Sequence, residues 1–446
     1  MKKMMSSLLV LVALACLCAA SRTSRALVRN RAERALNASV PHENLPPAIA
    51  FTTVALGGFR GVLADLLWFR AARLQEEGAY FEIVQLSDWI TTLEPRFTAV
   101  WAFHGWNMAY NISVMFDEPE DRWRWVMNGI RLLRDQGIRY NPGDPALYRE
   151  LGWLFQHKIG GATDEFAMYY RRKWAEEVEA ALGGGVFRID AIDPAQKQSL
   201  AERLALDPEI VQQVDETYGP FDWRLPESHA VYWAHRGRQQ ARGKPTLACD
   251  RMVFQATSDA FRHGRLFSDK ANDLFILTPN LKLLPKVRRA YEHALAQYGR
   301  DAVGAAYANF LREACLILYS YNNVDTARSL FSELKTRFPE HAGPAGFERY
   351  VTDALTAELR EGAPRDAAAR AEACFYQSYF WFALGDRDRA RGYERLGELV
   401  WRRHRTERPA PAGAYTLRAI KNQARQRALA QFASPVPRKR LESLAP

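Results

Sequence analysis

Apolar residues recur at helical spacing through most of the chain, broken by Gly or Pro roughly every 12 to 20 residues. Alternating strand patterns are scarce, so the chain reads as all-α. Leu66, Phe69, Leu74 and Gly78 mark one helix that ends at a glycine. Tyr80 to Leu93 predicts a second, stopped before Pro95, and Thr98 to Met115 a third. Arg122 to Arg139 predicts a fourth, closed by Asn141-Pro142-Gly143. Asp144-Pro145 then opens the next, with Asp as N-cap and Pro at the first helical position. Gly183-Gly184-Gly185 ends a helix, and Asp190–Ala205 and Pro208–Tyr218 are two short helices with charged surfaces. Residues 183–219 therefore read as an insertion between two helical halves, 51–182 and 220–400. Residues 264–283 read as a long connection with an extended piece at Phe275-Ile276-Leu277.

Two helix starts repeat each other. Trp101, Gly105 and Trp106 align with Tyr148, Gly152 and Trp153, 47 residues on. A small residue there lets a neighbouring helix come close, and the aromatics fill the space beside it. An internal period of about 40 residues built from two helices is the signature of an α-solenoid. The clearest unit spans 304–339, with Ala314 or Cys315, Tyr319, Ala327, Phe331, Leu334 and Pro339 at the defining positions. Residues 374–399 hold Trp381, Gly385, Ala390 and Leu396 at similar offsets. On these residues the chain resembles the tetratricopeptide-repeat (TPR) family over 304–400, and more loosely over 64–180. It departs in repeat length, and no single unit carries the full Trp-Leu-Gly-Tyr set. Taken whole, it resembles the N-terminally anchored helical-repeat proteins of bacterial envelopes. That resemblance implies a TPR-like α-solenoid of antiparallel helix pairs, and scaffolding or assembly work rather than catalysis.

The N-terminus changes the picture. Lys2 and Lys3 precede an uncharged stretch from Met4 to Ser21, a basic region followed by an apolar one. Residues 1–21 are expected to be a signal peptide or membrane anchor helix, with cleavage possible after Ala20 or, as in a lipoprotein, at Cys16. Residues 22–50 are a basic, Pro-containing linker. The short, Ala-rich apolar run resembles a bacterial export signal, so the expected location is the cell envelope, inner-membrane anchored or periplasmic. A cytoplasm-facing anchor is the alternative, because Arg22, Arg25, Arg29, Arg31 and Arg34 follow the segment. Five Cys are too few for a disulfide scaffold, and Cys16 and Cys18 lie in the apolar run.

Of the 446 residues 48% are hydrophobic, which excludes global disorder. The net charge of +10 is uneven. Residues 1–34 carry seven Lys/Arg against Glu33, and 401–446 eleven against Glu407 and Glu442, which leaves the body mildly acidic. Nucleic acid is therefore not favoured as a partner, since its binders carry a basic stripe on the folded body.

No phosphate loop, nucleophile elbow, dinucleotide fingerprint or CxxC is present, so no catalytic residue, metal ligand or cofactor is assigned. The stretch 219–237 gathers Asp222, Arg224, Glu227, His229, Trp233 and His235 among aromatics. His229 and His235 lie about 240° apart around a helix, which does not suit a metal pair. Packing is the favoured reading for this stretch and for the tryptophans. The residues proposed to meet a partner are Trp106, Asn107, Tyr110, Asn111 and Trp153, with Asp222, Arg224, His229 and Trp233. Near the C-terminus, residues 412–432 predict a helix. Leu417, Ile420, Ala424 and Ala428 line one face, and Arg418, Lys421 and Arg425 another. It either caps the solenoid or rests on anionic lipid, and 435–446 is expected to be disordered. The expected function is a non-catalytic, membrane-tethered or exported scaffold that binds protein or peptide partners on a concave surface. The alternatives are an envelope enzyme acting on a cell-wall polymer near 219–237, and nucleic-acid or anionic-lipid binding through the basic tail.

Overall fold

The computed structural model describes residues 59–183, 192–269, 274–355, 364–407, 416–432 and 435–444, with Ile189 and a few positions nearer the N-terminus. Nearly all of the expected signal or anchor segment 1–21 and of the linker 22–50 lies outside the described residues. Among the described residues, no helix is long and apolar enough to cross a membrane.

Helices α1 (Phe59–Glu76) and α2 (Tyr80–Leu93) pack on each other, and α2 buries Ile83, Leu86, Ile90 and Leu93 along one face. Helix α3 (Thr98–Trp106) runs on through a wide π turn, Asn107–Ile112. Helix α4 (Pro119–Arg131) does the same through Leu132–Gly137 and ends at Tyr140. Helix α5 (Pro145–Trp153) starts where the sequence places it: Asp144 accepts from the N–H of Ala146 at 3.0 Å. It too passes into a π turn, Leu154–Ile159. The 47-residue offset is thus structural. In α3 and α5 nine α-helical residues precede six in a π turn. Trp101 Nε1 donates to the carbonyl of Pro95 at 2.9 Å, and Tyr148 OH to that of Pro142 at 3.0 Å.

The glycines in this repeat are contact points. A Cβ on Gly105 would lie 2.8 Å from Leu133 Cγ, and one on Gly129 would lie 2.6 Å from the Gly105 carbonyl. One on Gly152 would overlap Met252. Close approach explains Gly at 105 and 152, as the sequence implies.

Helices α6 (Ala167–Leu182), α7 (Pro194–Arg203) and α8 (Pro208–Tyr218) lead to α9 (Pro226–Gln240) and α10 (Leu247–His263). Both short helices of the expected insertion form. They do not stand apart, however: Leu200, Val211 and Val214 enter the same core as Trp101, Leu311 and Val351. α9 packs between α5 and α10.

The connection 264–283 holds more than one extended piece. Strand β1 (Arg265–Asp269) pairs antiparallel with β2 (Leu274–Thr278), Arg265 opposite Thr278. The pleat sends successive residues to opposite faces. Phe275 and Leu277 pack beside Ala175 and Leu225, whereas Leu274 and Ile276 pack against the cluster holding Phe380 and Trp381. Both faces are covered, so β2 reads as a continuous apolar run and its alternation is invisible in the sequence.

The remainder is helical: α11 (Leu284–Tyr298), α12 (Arg300–Ser320), α13 (Val324–Arg337), α14 (Phe347–Leu355), α15 (Pro364–Leu384), α16 (Arg387–Glu407), α17 (Leu417–Gln431) and α18 (Pro435–Glu442). The units at 304–339 and 374–399 coincide with the helix pairs α12–α13 and α15–α16, each packed on its partner. α17 buries Ile420, Ala424 and Ala428 against α15. The tail expected to be disordered from 435 instead forms α18. Leu441 is buried beside Phe432, and Arg440 donates to the carbonyl of Ala383 at 3.0 Å. One well-placed leucine in a short basic segment gives little sequence signal, and tertiary contact supplies the rest.

Candidate binding cleft

The repeated positions of α3 and α5 meet in space. Trp106 stacks on Tyr110 with ring centroids 5.5 Å apart, and Trp153 on His157 at 4.6 Å. Tyr110 OH and His157 Nδ1 close the gap between the helices at 2.9 Å. The result is a four-ring ladder in which Tyr110 and His157 are themselves 47 residues apart. All four residues are half-buried. Below them Lys158 is buried, 2.6 Å from Asp164 and facing the rings of Tyr110 and Tyr170. Burial pushes its ammonium below the usual lysine range, against the pull of Asp164.

Trp153 and His157, the α5 half of the ladder, line a cleft of about 830 Å³, and Trp106 and Tyr110 lie behind them. Trp153, Gln156 and His157 face Gln255, Asp259 and Arg262 of α10, and Met168 of α6 and Leu277 of β2 also contribute to the lining. Gln156 donates to Asp259 at 2.8 Å, and Arg262 donates to the same carboxylate at 2.7 Å. The polar wall is therefore held in a fixed arrangement before anything binds.

Glu227 is buried where Arg171 and His263 reach the cleft. Its Oε1 lies 2.8 Å from Arg171 Nη2 and 3.0 Å from His263 Nε2. Arg171 Nη2 is directed at the carbonyl of Gly160, and neither carboxylate oxygen receives a well-directed hydrogen bond. The Arg171 contact is an ion pair by distance, and His263 lies within the same reach. Burial raises the Glu227 carboxyl, but Arg171 and His263 outweigh it and bring it to about 2. The carboxylate stays charged at neutral pH and holds Arg171 and His263 in place.

The other residues singled out at 219–237 lie elsewhere. His229 is buried, its Nε2 2.9 Å from the Trp223 carbonyl, and its ring stacks on Phe155. Burial drops it to about 4, so it is a neutral core histidine sealed from any partner. Trp233 is buried against Tyr148 and Tyr232. Asp222 and Arg224 satisfy each other at 2.7 and 2.8 Å. They also grip both backbone groups of Leu266, which fixes β1 beside α9. Asn107 is buried and donates to the carbonyl of Tyr80, and Asn111 donates to Asn107. Asn107 thus ties α3 to α2 and is turned inward, and Asn111, half-buried, is held against it.

In α17, Lys421 is caught between Glu394 and Glu398, each at 3.0 Å, and Arg425 donates to the carbonyl of Leu441. Arg418 is the exposed member of that basic row. Two of its three cations therefore hold the C-terminal helices together.

Trp106, Tyr110 and Trp153 are the sequence-singled residues that the structure brings together. His157, Gln156, Arg171, Gln255, Asp259 and His263 complete the cleft and were not singled out. His157 had a signal, since it is the repeat equivalent of Tyr110. The others come from separate segments joined by packing alone. Among the described residues no cluster of His, Cys, Asp and Glu suits a metal ion.

No protein-family model matches the chain, and neither a curated protein nor a solved structure matches it significantly.

Proposed function

We propose that the chain is a non-catalytic, TPR-like α-solenoid, exported or tethered to the membrane through residues 4–21, that binds an extended peptide or protein segment. The observation that carries this reading is the cleft lined by α5 and α10, whose stacked Trp153 and His157 are backed by Trp106 and Tyr110 at the repeat-equivalent positions of α3. In a solenoid of helix pairs, the first helices of successive units line one concave face. Aromatic edges and fixed amide side chains there suit a peptide: rings cover its apolar side chains, and Gln255 offers a donor and an acceptor to its backbone. The N-terminal apolar run and the basic linker support tethering by their sequence.

The test is selection from a random-peptide library on the full-length chain. The expected outcome is a family of mutually competing peptides whose binding falls at least tenfold in Met168→Arg and in Gln255→Arg, with the melting temperature unchanged. Both side chains line the cleft. A library from which no peptide is enriched, or peptides indifferent to both substitutions, would overturn the proposal.

A further inference from the structure

Helix α1 presents an apolar face to solvent. Phe59 is 80% exposed, Val62 57%, Leu63 40%, Leu66 61% and Phe69 72%. At 3.6 residues per turn these five side chains fall within an arc of about 120°. The opposite side of α1 is already occupied, since Ala64 and Ala71 are buried against α2 and α3. The exposed stripe is therefore surplus to the fold. A repeat stack ordinarily closes with a polar outer face, and contiguous apolar surface of this kind marks a contact site.

The sequence on either side of the stripe selects its occupant. Upstream lie the uncharged apolar run Met4–Ser21 and then five arginines between Arg22 and Arg34. Only residues 22–58 separate the end of that run from Phe59. A connection of that length holds α1 at an effective concentration of about a millimolar at whatever surface receives the run. The same arc carries Arg70 and Arg73 at its C-terminal end, both exposed, with Arg73 also 2.8 Å from Glu77. An apolar stripe that ends in long basic side chains is the pattern of a helix lying in a bilayer interface. Its rings and leucines enter the acyl boundary, and its guanidinium groups reach back to lipid phosphates. A protein groove fits the apolar stripe equally well, but it does not account for the adjoining apolar run and basic linker.

We infer that α1 is a second membrane contact, lying flat on an anionic lipid leaflet through Phe59, Val62, Leu63, Leu66 and Phe69. No residue of α1 lines the cleft between α5 and α10. The inference rests on residues 4–21 entering a bilayer, and the experiment separates the two.

Leu66→Cys is labelled with an environment-sensitive fluorophore in the full-length chain. Arg391→Cys, an exposed position of α16, serves as reference, and the unsubstituted chain labelled in parallel gives the background. Each protein is bound to phosphatidylcholine vesicles containing phosphatidylglycerol and brominated acyl chains. The expected result is co-flotation of both proteins, with quenching at position 66 at least threefold stronger than at 391. Co-flotation with equal quenching would leave the anchor standing and overturn the contact by α1. Failure to co-float would overturn both. A fluorophore at position 66 shielded without vesicles, in a species of twice the chain mass, would assign the stripe to a second copy and overturn the inference.

Discussion

Glu227 and His229 are two residues apart on α9 and have opposite fates. Both are buried, but Glu227 has Arg171 and His263 as partners and stays ionised, whereas His229 has only a backbone carbonyl and stays neutral. His104 and His235 are likewise lowered to about 4 by burial. Each of the three histidines is held below its ordinary value of 6.5, so the unfolded chain binds protons that the folded chain refuses. Their contribution to stability is fully present above pH 6.5 and is lost as pH falls from 6.5 through 4. Glu227, lowered from 4.5 to about 2, adds a further loss below 4.5. The expected outcome is a urea midpoint that is level from pH 8 to 7 and falls steadily below about 6.5, by up to ~1.4 kcal/mol per pH unit for each histidine. Equilibrium unfolding across that range checks it, and a level profile down to pH 4.5 would contradict the burial of these groups.

At the scale of elements, glycine sets how closely helices cross. Gly105 and Gly129 meet where α3 crosses α4, and Gly152 receives Met252 of α10. The tightest such place is Gly392 on α16, where a Cβ would overlap the carbonyl of Ser320 at the end of α12. Backbone cannot swing aside as a side chain can, so Gly392→Ala must displace a helix. It is expected to cost about 1–3 kcal/mol, the range for overpacking. Gly346 is the control, with no atom within 4 Å of its added Cβ and no left-handed backbone. Gly346→Ala is expected to be neutral or slightly stabilising. Thermal melts of the two variants decide the matter, and equal stability would refute the close crossing. The hairpin β1–β2 works at the same scale. It joins α6 to the C-terminal helices by showing one apolar face to each.

Over the whole molecule, one hydrophobic core runs from Trp101 to Val351, and two smaller clusters serve α15 to α18. The latter depend on the chain's end. Ala428, Phe432 and Leu441 complete one cluster, and Ile420 and Ala424 the other. Removing residues 416–446 is expected to uncover Phe375 and Phe380, giving dye binding and self-association while the larger core keeps its cooperative melt. Sedimentation velocity with a hydrophobic dye checks this. A monomeric truncated chain that binds no dye would show that α17 and α18 do not cap the molecule.

Helix positions were legible in the sequence because a 3.6-residue period and capping residues such as Asp144 act locally. Tyr80–Leu93 and Thr98–Met115 have the boundaries that their patterns predict. The repeat of α3 and α5 was legible too, down to the glycines, because each copy is closely approached there, Gly105 by Leu133 and Gly152 by Met252. The cleft was only partly so. Trp106, Tyr110 and Trp153 stood out, but their use depended on His157 and on α10, more than ninety residues further along the chain. The sequence could not say that Asn107 turns inward, that His229 is sealed behind Phe155, or that Glu227 meets Arg171 and His263. These are outcomes of burial, and burial depends on which helices come to lie against one another. Local periodicity determined the elements, and long-range packing alone decided which of their polar groups face the cleft.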